Sequence, residues 1–486
     1  MNKKRLSISI CIFIISILEM GAQTLNEICE IGLPVIIINT VNNEEPTCEF
    51  VTSPEGATGE SITNATKVPC SITIRLHDEI LYESGLYKAD TSGATIKLRG
   101  NTSTKLRAKP YKLKLEKKAD LLLRDDDDKY KDKEFLLLLT YNNFLRTHIG
   151  FTLNEIIDMP YKPEFKPVNV FINNKYRGLY YLAESVKRNK DCRINVDKKT
   201  GYIFEYDAYW WNEDYYIDTE FSNKKMKFTL KYPDTNDITE EQKTYIEQWL
   251  KEMQNAVINE QSEDYLCLDT CARWILAQDF LGISDGAGSN LFFAKADNTS
   301  ESKAYPATLW DFDCICRNEN EWSSAHKGDY FFKYLFDNDK DSSFITAYCK
   351  EWIKFVDNQV TEKLIQAIKE YADSDEGKAF EKSYNLTSSS YNINIPTWSI
   401  TEQTKIYEEW FTTRKEWMDN TINDLYPEII DMLQDESKTY NISFRSPFYK
   451  DNNDPNYNAY DILGKKVPST HKGIKIINRR KVIIQE

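Results

Sequence analysis

The chain has 486 residues, a formal net charge of −14, 28% charged side chains and 41% hydrophobic ones. This composition is typical of a globular protein, excludes disorder of the whole chain, and leaves room for about two to three domains. The acidic balance argues against nonspecific binding to nucleic acid, so we expect no nucleic-acid partner.

The first 22 residues have the layout of a secretory signal peptide. Lys3, Lys4 and Arg5 precede an apolar run over residues 6–18, which is too short to span a bilayer comfortably. The sequence therefore predicts export, removal of residues 1–22, and a mature chain without an integral membrane segment.

Cysteine use fits an exported protein. Ten cysteines less Cys11 in the signal leave nine, an odd number, so at least one thiol is free or pairs between chains. Export permits disulfides, and Cys48 with Cys70 is a candidate pair.

Residues 23–92 predict a β-rich N-terminal region. The run "LPVIIIN" at residues 33–39 is typical of a buried strand, and "CSITIRL" at residues 70–76 alternates like a half-exposed one.

Residues 94–118 predict two further strands joined by a polar loop. In the second strand the apolar side chains share one face, and Lys112 and Lys114 share the other. Residues 168–186 predict a hairpin that turns at Asn173-Asn174 and ends near Glu184.

Helical spacing dominates after residue 239. Thr239 and Gln242 form a capping-box pattern at the start of an apolar periodicity over residues 239–257. The same spacing recurs at residues 268–281, 361–371 and 401–425. The polar stretch at residues 373–390 predicts a long loop or insertion.

Short strand patterns return at the C-terminus. They predict a compact all-β module over residues 440–486, separable from the helical part.

The stretch at residues 283–315 holds the candidate chemistry. Asp285 and Asn290 are five residues apart, and Asp311-Phe312-Asp313 follows after a predicted pair of strands. Protein kinases use a catalytic Asp, an Asn five residues later and a subsequent Asp-Phe-Gly to orient a hydroxyl and hold Mg²⁺. The spacing alone favours the alternative, in which these are loop residues that cap a turn.

Five ordered motifs resemble the CotH kinase family of secreted, atypical protein kinases related to the spore-coat protein CotH. They are "LRGNTSTKLRAKPYKLKL" (98–115), "VNVFINNKYRGLYYLAE" (168–184), "YIFEYD" (202–207), "SDGAGSNLFFAK" (284–295) and "LWDFD" (309–313).

The resemblance implies an α+β fold of the divergent, two-lobed protein-kinase type over residues 93–430. It also implies transfer of the ATP γ-phosphate to Ser or Thr of a protein substrate, with Mg²⁺ or Mn²⁺ as the metal. Carried over to this chain, Asp285 resembles the catalytic carboxylate. Asn290 and Asp311 resemble metal ligands, and Asp313 resembles a further metal or supporting carboxylate.

The nucleotide phosphates require cations. Lys112 and Lys114 lie on the strand that resembles the family's nucleotide-binding lysine strand, and the resemblance does not choose between them. It implies Glu184 as the partner of that lysine and Arg99 as a residue beside the phosphates. A solvated strand face is the alternative for these cations.

The C-terminal module resembles the sorting domain of the type IX secretion system of Bacteroidetes, through "YDILGKKV" (460–467), "KGIKIIN" (472–478) and "KVII" (481–484). The resemblance implies passage through the periplasm, the type IX machinery as a partner, and a secreted or cell-surface location. A small structural β appendage is the alternative.

One rival function comes from a different class. The aromatic run at residues 207–216 could stack on sugar rings, as in a non-catalytic surface adhesin or carbohydrate-binding protein on a kinase-like scaffold. Packing of the same aromatic side chains inside the domain is the bland alternative.

Overall fold

The structure is a computed structural model that covers most of the chain beyond the predicted signal peptide. The described residues are 24–57, 60–63, 65–124, 128–140, 144–286, 289–317, 319–328, 331–337, 343–391, 398–444, 459–461, 466–467, 473–477 and 480–484. Residues 1–22 lie outside them, so the signal peptide stays a prediction. The chain divides into two compact units, residues 1–427 and 428–486.

The first unit begins with a β-rich region. Its strands are β1 (Val35–Thr40), β2 (Glu49–Thr52), β3 (Glu60–Thr63), β4 (Val68–Leu76), β5 (Glu79–Glu83), β6 (Ala94–Leu98), β7 (Tyr111–Ala119), β8 (Asp132–Leu139), β9 (Phe165–Ile172) and β10 (Lys175–Glu184). Seven of these strands form a closed barrel in the order β1-β9-β10-β8-β7-β6-β4, because β1 pairs again with β4. Within the barrel β1 and β9 run parallel and the other neighbours antiparallel.

Period-two alternation explains the barrel interior. On β4, Val68, Cys70, Ile72 and Ile74 are at most 1% exposed, while the residues between them keep more surface. Alternate side chains of a strand point to opposite faces, so the apolar set of every strand meets in one interior.

The predicted boundary between residues 92 and 93 does not separate two structural units. β4 pairs with β6 across it, and β1 pairs with both β4 and β9. The N-terminal region thus supplies two strands of the barrel, β1 and β4. The other five strands come from the predicted kinase-like domain.

A second sheet follows the barrel in sequence. Its strands are β11 (Tyr202–Tyr206), β12 (Tyr216–Phe221), β13 (Lys224–Tyr232), β14 (Leu291–Lys295) and β15 (Ala304–Pro306), in the antiparallel order β12-β13-β11-β14-β15. The β14 strand, which has a neighbour on each side, starts directly after Asn290. One candidate metal ligand therefore lies at the N-terminal end of this strand.

The helices are α1 (Leu25–Cys29), α2 (Arg146–Ile156), α3 (Glu240–Ile258), α4 (Leu268–Leu281), α5 (Ser324–Lys327), α6 (Phe331–Asp337), α7 (Ser343–Asp357), α8 (Val360–Asp373), α9 (Asp375–Ser390), α10 (Ile400–Leu425) and α11 (Pro427–Phe444). The capping box at Thr239 and Gln242 is confirmed at the start of α3. The first unit is therefore a mixed assembly of helices and mainly antiparallel strands.

The prediction of a loop at residues 373–390 was wrong, because most of that stretch is the helix α9. Ser374 caps it by accepting a hydrogen bond from Gly377 N at 3.0 Å. Its buried face includes polar residues that bond to the barrel, since Ser383 Oγ accepts from Asn169 Nδ2 at 3.0 Å. Polar composition therefore concealed a buried helix face.

The predicted Cys48–Cys70 disulfide is not formed, and all nine cysteines from Cys29 to Cys349 are free. Cys70 is fully buried in the barrel interior, where its thiol packs as an apolar group.

The second unit contains four described strands: β16 (Ala459–Asp461), β17 (Lys466–Val467), β18 (Gly473–Ile477) and β19 (Arg480–Ile484). They form an antiparallel sheet in the order β17-β16-β18-β19. The C-terminal strands are as the sequence predicted, and their sorting role stays a prediction.

Candidate active site

Asp285 lies in a loop directly after α4. Gly282 ends that helix with φ +59°, a left-handed conformation that glycine adopts without steric cost. Ser284 N then donates to Cys314 O at 3.3 Å. The loop that carries Asp285 is therefore bonded to the segment directly after the "WDFD" motif.

Asn290 and Asp311 share an unusual backbone conformation. Their φ angles are +65° and +62°, in the left-handed region that Asn and Asp tolerate better than other non-glycine residues. The Asn290 side chain is close enough to the Asp311 carboxyl to lower its pKa. The structure thus places two predicted metal ligands near each other.

The "WDFD" segment is fixed from the side of α2. Phe312 is buried, and its ring occupies the space beside Gly150, where an added Cβ would lie 2.1 Å from the ring. Arg146 Nη1 donates to the carbonyl of Asp313 at 2.7 Å. The phenylalanine and the arginine therefore hold the backbone between the two aspartates.

Two carboxylates and one thiol meet at this place, and the Asp311 carboxylate lies near enough to interact with both aspartates. Ligand atoms of Asp285, Asp313 and Cys314 all lie within 4.8 Å of one another. The three aspartates retain exposed surface as residues, although neighbouring atoms surround the carboxyl groups of Asp285 and Asp311. Burial, followed by the charges of Asp285 and Asp313, raises the pKa of the Cys314 thiol to about 12.

Loss of solvent and the crowding of like charges raise the pKa of two carboxyl groups. Loss of solvent, followed by the carboxylates of Asp313 and Asp285, raises the pKa of Asp311 from 3.8 to about 7. Loss of solvent and the charge of Asp313 also raise the pKa of Asp285. The cluster carries more negative charge than its surroundings neutralise, which is the electrostatic condition for binding a cation.

Arg99 is the cation next to this cluster. Its guanidinium interacts with the carboxylates of Asp311 and Glu205, while burial lowers its pKa. Arg99 follows Leu98, whose side chain points into the barrel, so alternation puts Arg99 on the outer face. The structure therefore places Arg99 near two acidic residues of this site, and its role beside the phosphates stays a prediction.

Lys112 and Lys114 also lie on the outer face of the barrel, as the alternation predicted. Lys112 pairs with Glu134 at 2.9 Å and sits directly across from Lys97 in the β6–β7 register. Lys114 is exposed. The outer face of β6 and β7 thus carries a basic row formed by Arg99, Lys97 and Lys112.

Glu184 does not pair with either lysine. In register it neighbours Phe135, which neighbours Leu113, and both of those side chains fill the barrel interior. Glu184 therefore faces inward, opposite to the lysines, and its carboxylate binds Arg124 Nη2 at 3.0 Å. It also accepts from Tyr161 Oη at 3.1 Å, so the predicted nucleotide role is replaced by a buried structural one.

Sequence reasoning missed Glu205 and Lys231. Glu205 is 7% exposed on β11, and its Oε2 lies 3.0 Å from Lys231 Nζ on the neighbouring β13. Its Oε1 accepts from Asn290 N at 2.9 Å. The available signal was a single carboxylate within the apolar run "YIFEY", because a buried charge needs partners.

A buried polar network supports the end of α4. The carboxylate of Asp279 lies 2.8 Å from His326 Nδ1 and accepts from Tyr348 Oη at 2.8 Å. The carbonyl of Asp279 accepts from Arg414 Nε at 2.9 Å, and both Asp279 and Arg414 are fully buried. The last turn before the Asp285 loop is therefore held by side chains from three other segments.

No helix among the described residues is long and apolar enough to cross a membrane.

Comparison with known proteins identifies the family of the chain. No curated protein matches the chain. The family model of the CotH kinase protein matches residues 96–418, which include every strand from β7 to β15 and all of the carboxylates described above. The chain therefore belongs to the CotH kinase family.

Proposed function

We propose that this protein is an exported, atypical protein kinase that transfers the γ-phosphate of ATP to Ser or Thr of a protein substrate. The observation that carries the proposal is the convergence of Asp285, Asn290, Asp311 and Asp313 beside Arg99. Family membership supports a phosphotransferase reading of this convergence.

The donor set fits Mg²⁺ or Mn²⁺. These ions prefer carboxylate and amide oxygens, which Asp311, Asp313 and Asn290 supply. Burial, followed by the charges of Asp313 and Asp285, raises the pKa of Asp311, and a divalent cation would stabilise its ionised form. When bound, the ion supplies positive charge against the oxygens of the nucleotide phosphates.

The basic row on the barrel completes the phosphate site. Arg99 lies beside Asp311, and Lys112 holds an ion pair with Glu134 that resembles the lysine–glutamate pair of protein kinases. We assign to Glu134 the lysine-pairing role that the resemblance implied for Glu184. Lys112 is accordingly the better candidate than Lys114 for contacting phosphate.

Asp285 is the residue that we assign to activate the hydroxyl group of the acceptor Ser or Thr. Its carboxylate accepts the hydroxyl proton as the acceptor oxygen bonds to the γ-phosphorus, while the bond between that phosphorus and the β–γ bridging oxygen breaks. ADP leaves, and the phosphate stays on Ser or Thr. The raised pKa of Asp285 favours proton acceptance over that of an ordinary aspartate.

The barrel and the helical part would act as the two lobes of a divergent kinase-like fold, with the nucleotide between them. Residues 1–22 would direct export to the periplasm, and residues 440–486 would engage the type IX machinery for release or surface attachment. Deleting residues 440–486 should then trap the protein in the periplasm, which cell fractionation would detect.

The central test is phosphate transfer. The full chain is incubated with γ-labelled ATP, Mg²⁺ or Mn²⁺ and candidate acceptor proteins, alongside Asp285→Ala and Asp311→Ala. We expect incorporation by the wild type and a loss of at least about 100-fold in both variants, as for removal of groups that stabilise charge in a transition state. The exposed Asp357→Ala, at the end of α7, is the matched control.

Equal incorporation by the wild type and both site variants would rule out this assignment. It would favour the non-catalytic alternative, an adhesin or carbohydrate-binding protein on the same scaffold. In that case glycan binding should persist in Asp285→Ala, and nucleotide should not raise the melting temperature.

A further inference from the structure

Glu205 is a buried carboxylate that the proposed phosphate transfer does not use. It lies in the middle of the second sheet, where β11 pairs with both β13 and β14. Burial raises its pKa, and Lys231 and the Asn290 amide oppose that shift. An apolar side chain at this position would pack in the sheet without the cost of desolvating a charge. We therefore expect the buried carboxylate to have a specific role.

The two carboxylate oxygens of Glu205 have different partners. Oε2 is 3.0 Å from the Lys231 ammonium, and Arg99 adds a second positive charge nearby. Oε1 accepts the backbone N–H of Asn290 at 2.9 Å. One carboxylate therefore connects Lys231 to the backbone of a candidate metal ligand.

The bond to Asn290 lies outside the regular ladder of the sheet. The β11–β14 pairing ends at Tyr206 and Leu291, so Asn290 is the residue just beyond it. There the backbone takes φ +65°, an uncommon conformation that surrounding contacts must hold in place. Glu205 supplies such a contact to the same residue whose side chain lies near the Asp311 carboxyl and lowers its pKa.

We infer that Glu205 is a positioning residue for the metal site, which holds Asn290 in its left-handed conformation so that the amide side chain meets Asp311. Lys231, 3.0 Å from Oε2, holds the Glu205 carboxylate in place. This inference rests on the proposed function, because it assigns Asn290 to the metal.

The test is a double-mutant cycle on metal affinity. Binding of Mn²⁺ to the full chain, with and without ADP, is followed by electron paramagnetic resonance for the wild type, Glu205→Ala, Asn290→Ala and the double variant. We expect each single change to weaken Mn²⁺ binding about 10- to 100-fold, as for partners that orient a metal ligand. The double variant should bind no more weakly than Asn290→Ala, because Glu205 acts through Asn290.

A conservative change provides rescue. Glu205→Gln keeps an oxygen that can accept the Asn290 N–H, so it should bind Mn²⁺ more tightly than Glu205→Ala. Glu220→Gln, an exposed carboxylate on β12 of the same sheet, should match the wild type. Each affinity is measured well below the melting temperature of its variant. If Glu205→Ala does not fold, the cycle is run with Glu205→Leu, which fills a similar volume and has no oxygen to accept the Asn290 N–H.

The outcomes separate the two proposals. Wild type that fails to bind Mn²⁺ with or without ADP would overturn the proposed function and this inference with it. Two results would overturn the inference alone, provided that Asn290→Ala weakens Mn²⁺ binding. In the first, the Glu205 variants bind Mn²⁺ as tightly as the wild type. In the second, the double variant binds more weakly than Asn290→Ala, because the two effects multiply.

Discussion

Asp311 is the residue at which the charges of the site are most crowded. It faces the carboxylates of Asp285 and Asp313, and Arg99 and Asn290 compensate only part of that repulsion. Its folded-state pKa of about 7 lies above the value of about 3.9 for an unfolded chain. The folded protein therefore retains a proton that the unfolded chain releases.

Because of this raised pKa, we predict that Asp311 destabilises the folded protein increasingly as the pH rises. As pH rises from about 4 to about 7, the unfolded chain loses its proton first, so the contribution of Asp311 to stability falls. In EDTA, Asp311→Asn should melt at a higher temperature than wild type at pH 8, with a smaller difference at pH 5. Thermal unfolding followed by circular dichroism measures both differences.

A divalent cation should reverse that order. Excess Mn²⁺ at pH 8 should raise the melting temperature of the wild type and leave Asp311→Asn nearly unchanged, since binding to the folded state stabilises it. Asp357→Asn should follow the wild type throughout. The same pH slope in wild type and Asp311→Asn would contradict the assigned crowding.

The helix α2 is the element that shapes the site from behind. It presents Gly150 to Phe312, and Phe312 lies between the two aspartates of the "WDFD" motif. The ring of Phe151, on the same helix, also packs edge-on against Phe312 at 5.2 Å between centroids. Small size at position 150 is therefore a requirement of packing, because Gly150 is not among the glycines with positive φ.

We predict that Gly150→Ala destabilises the protein and weakens metal binding together. Alanine favours a helix over glycine by about 1 kcal/mol, so an ordinary helical glycine would be stabilised by this change. Here the added methyl must displace the Phe312 ring, and overpacking of this kind costs about 1–3 kcal/mol. Urea unfolding and Mn²⁺ titration of the same samples measure the two effects.

Glu155→Ala is the matched control on α2, because Glu155 is exposed. It should change the free energy of unfolding by less than about 0.5 kcal/mol. A Gly150→Ala variant that is as stable as wild type and binds Mn²⁺ equally well would show that Phe312 has space to move.

Elements with strong local signals were predictable from the sequence. The α3 capping box and the Asn173-Asn174 turn, with φ +51° and +60°, both follow from local side-chain and backbone chemistry. The α9 helix was not, since its buried face uses Ser383 and Thr387 to bond the barrel. Hydrophobic periodicity cannot detect a face whose burial depends on hydrogen bonds to another element.

Closure of the barrel is a property of the whole first unit. β1 and β4 lie in residues 23–92, and without them β6 and β9 would each lose a paired neighbour. The apolar interior would then be open, and unpaired strand edges would be exposed. Residues 23–92 are accordingly part of the domain that carries the site.

Two truncations test this organisation. A chain that begins at residue 93 should be insoluble or unfolded, because it lacks two staves of the barrel. A chain that ends at residue 427 should keep a cooperative thermal transition and the Mn²⁺-dependent rise in melting temperature, because the barrel and every described site residue precede that point. Sedimentation, circular dichroism and thermal unfolding compare both with the full chain.

A folded, Mn²⁺-responsive chain that begins at residue 93 would contradict the role given to β1 and β4. Loss of the metal response after removal of residues 428–486 would instead mean that the second unit contributes to the site.

The sequence by itself determined the alternation of β4 and β7, the periodicity of α3 and α4, and the motifs that hold Asp285, Asn290, Asp311 and Asp313. These features are local, because the spacing of side chains along one element fixes which of them share a face. Family resemblance then assigned the proposed chemistry to those segments.

Only the tertiary structure decided which groups meet. Glu184 lies inside the barrel with Arg124, Lys112 lies outside with Glu134, and Arg99 is the cation beside Asp311. These choices depend on strand register, and a shift of one residue moves a side chain to the opposite face of the sheet. Spacing along the chain carries no information on which strand becomes the neighbour, so contacts across strands emerge only when the barrel closes.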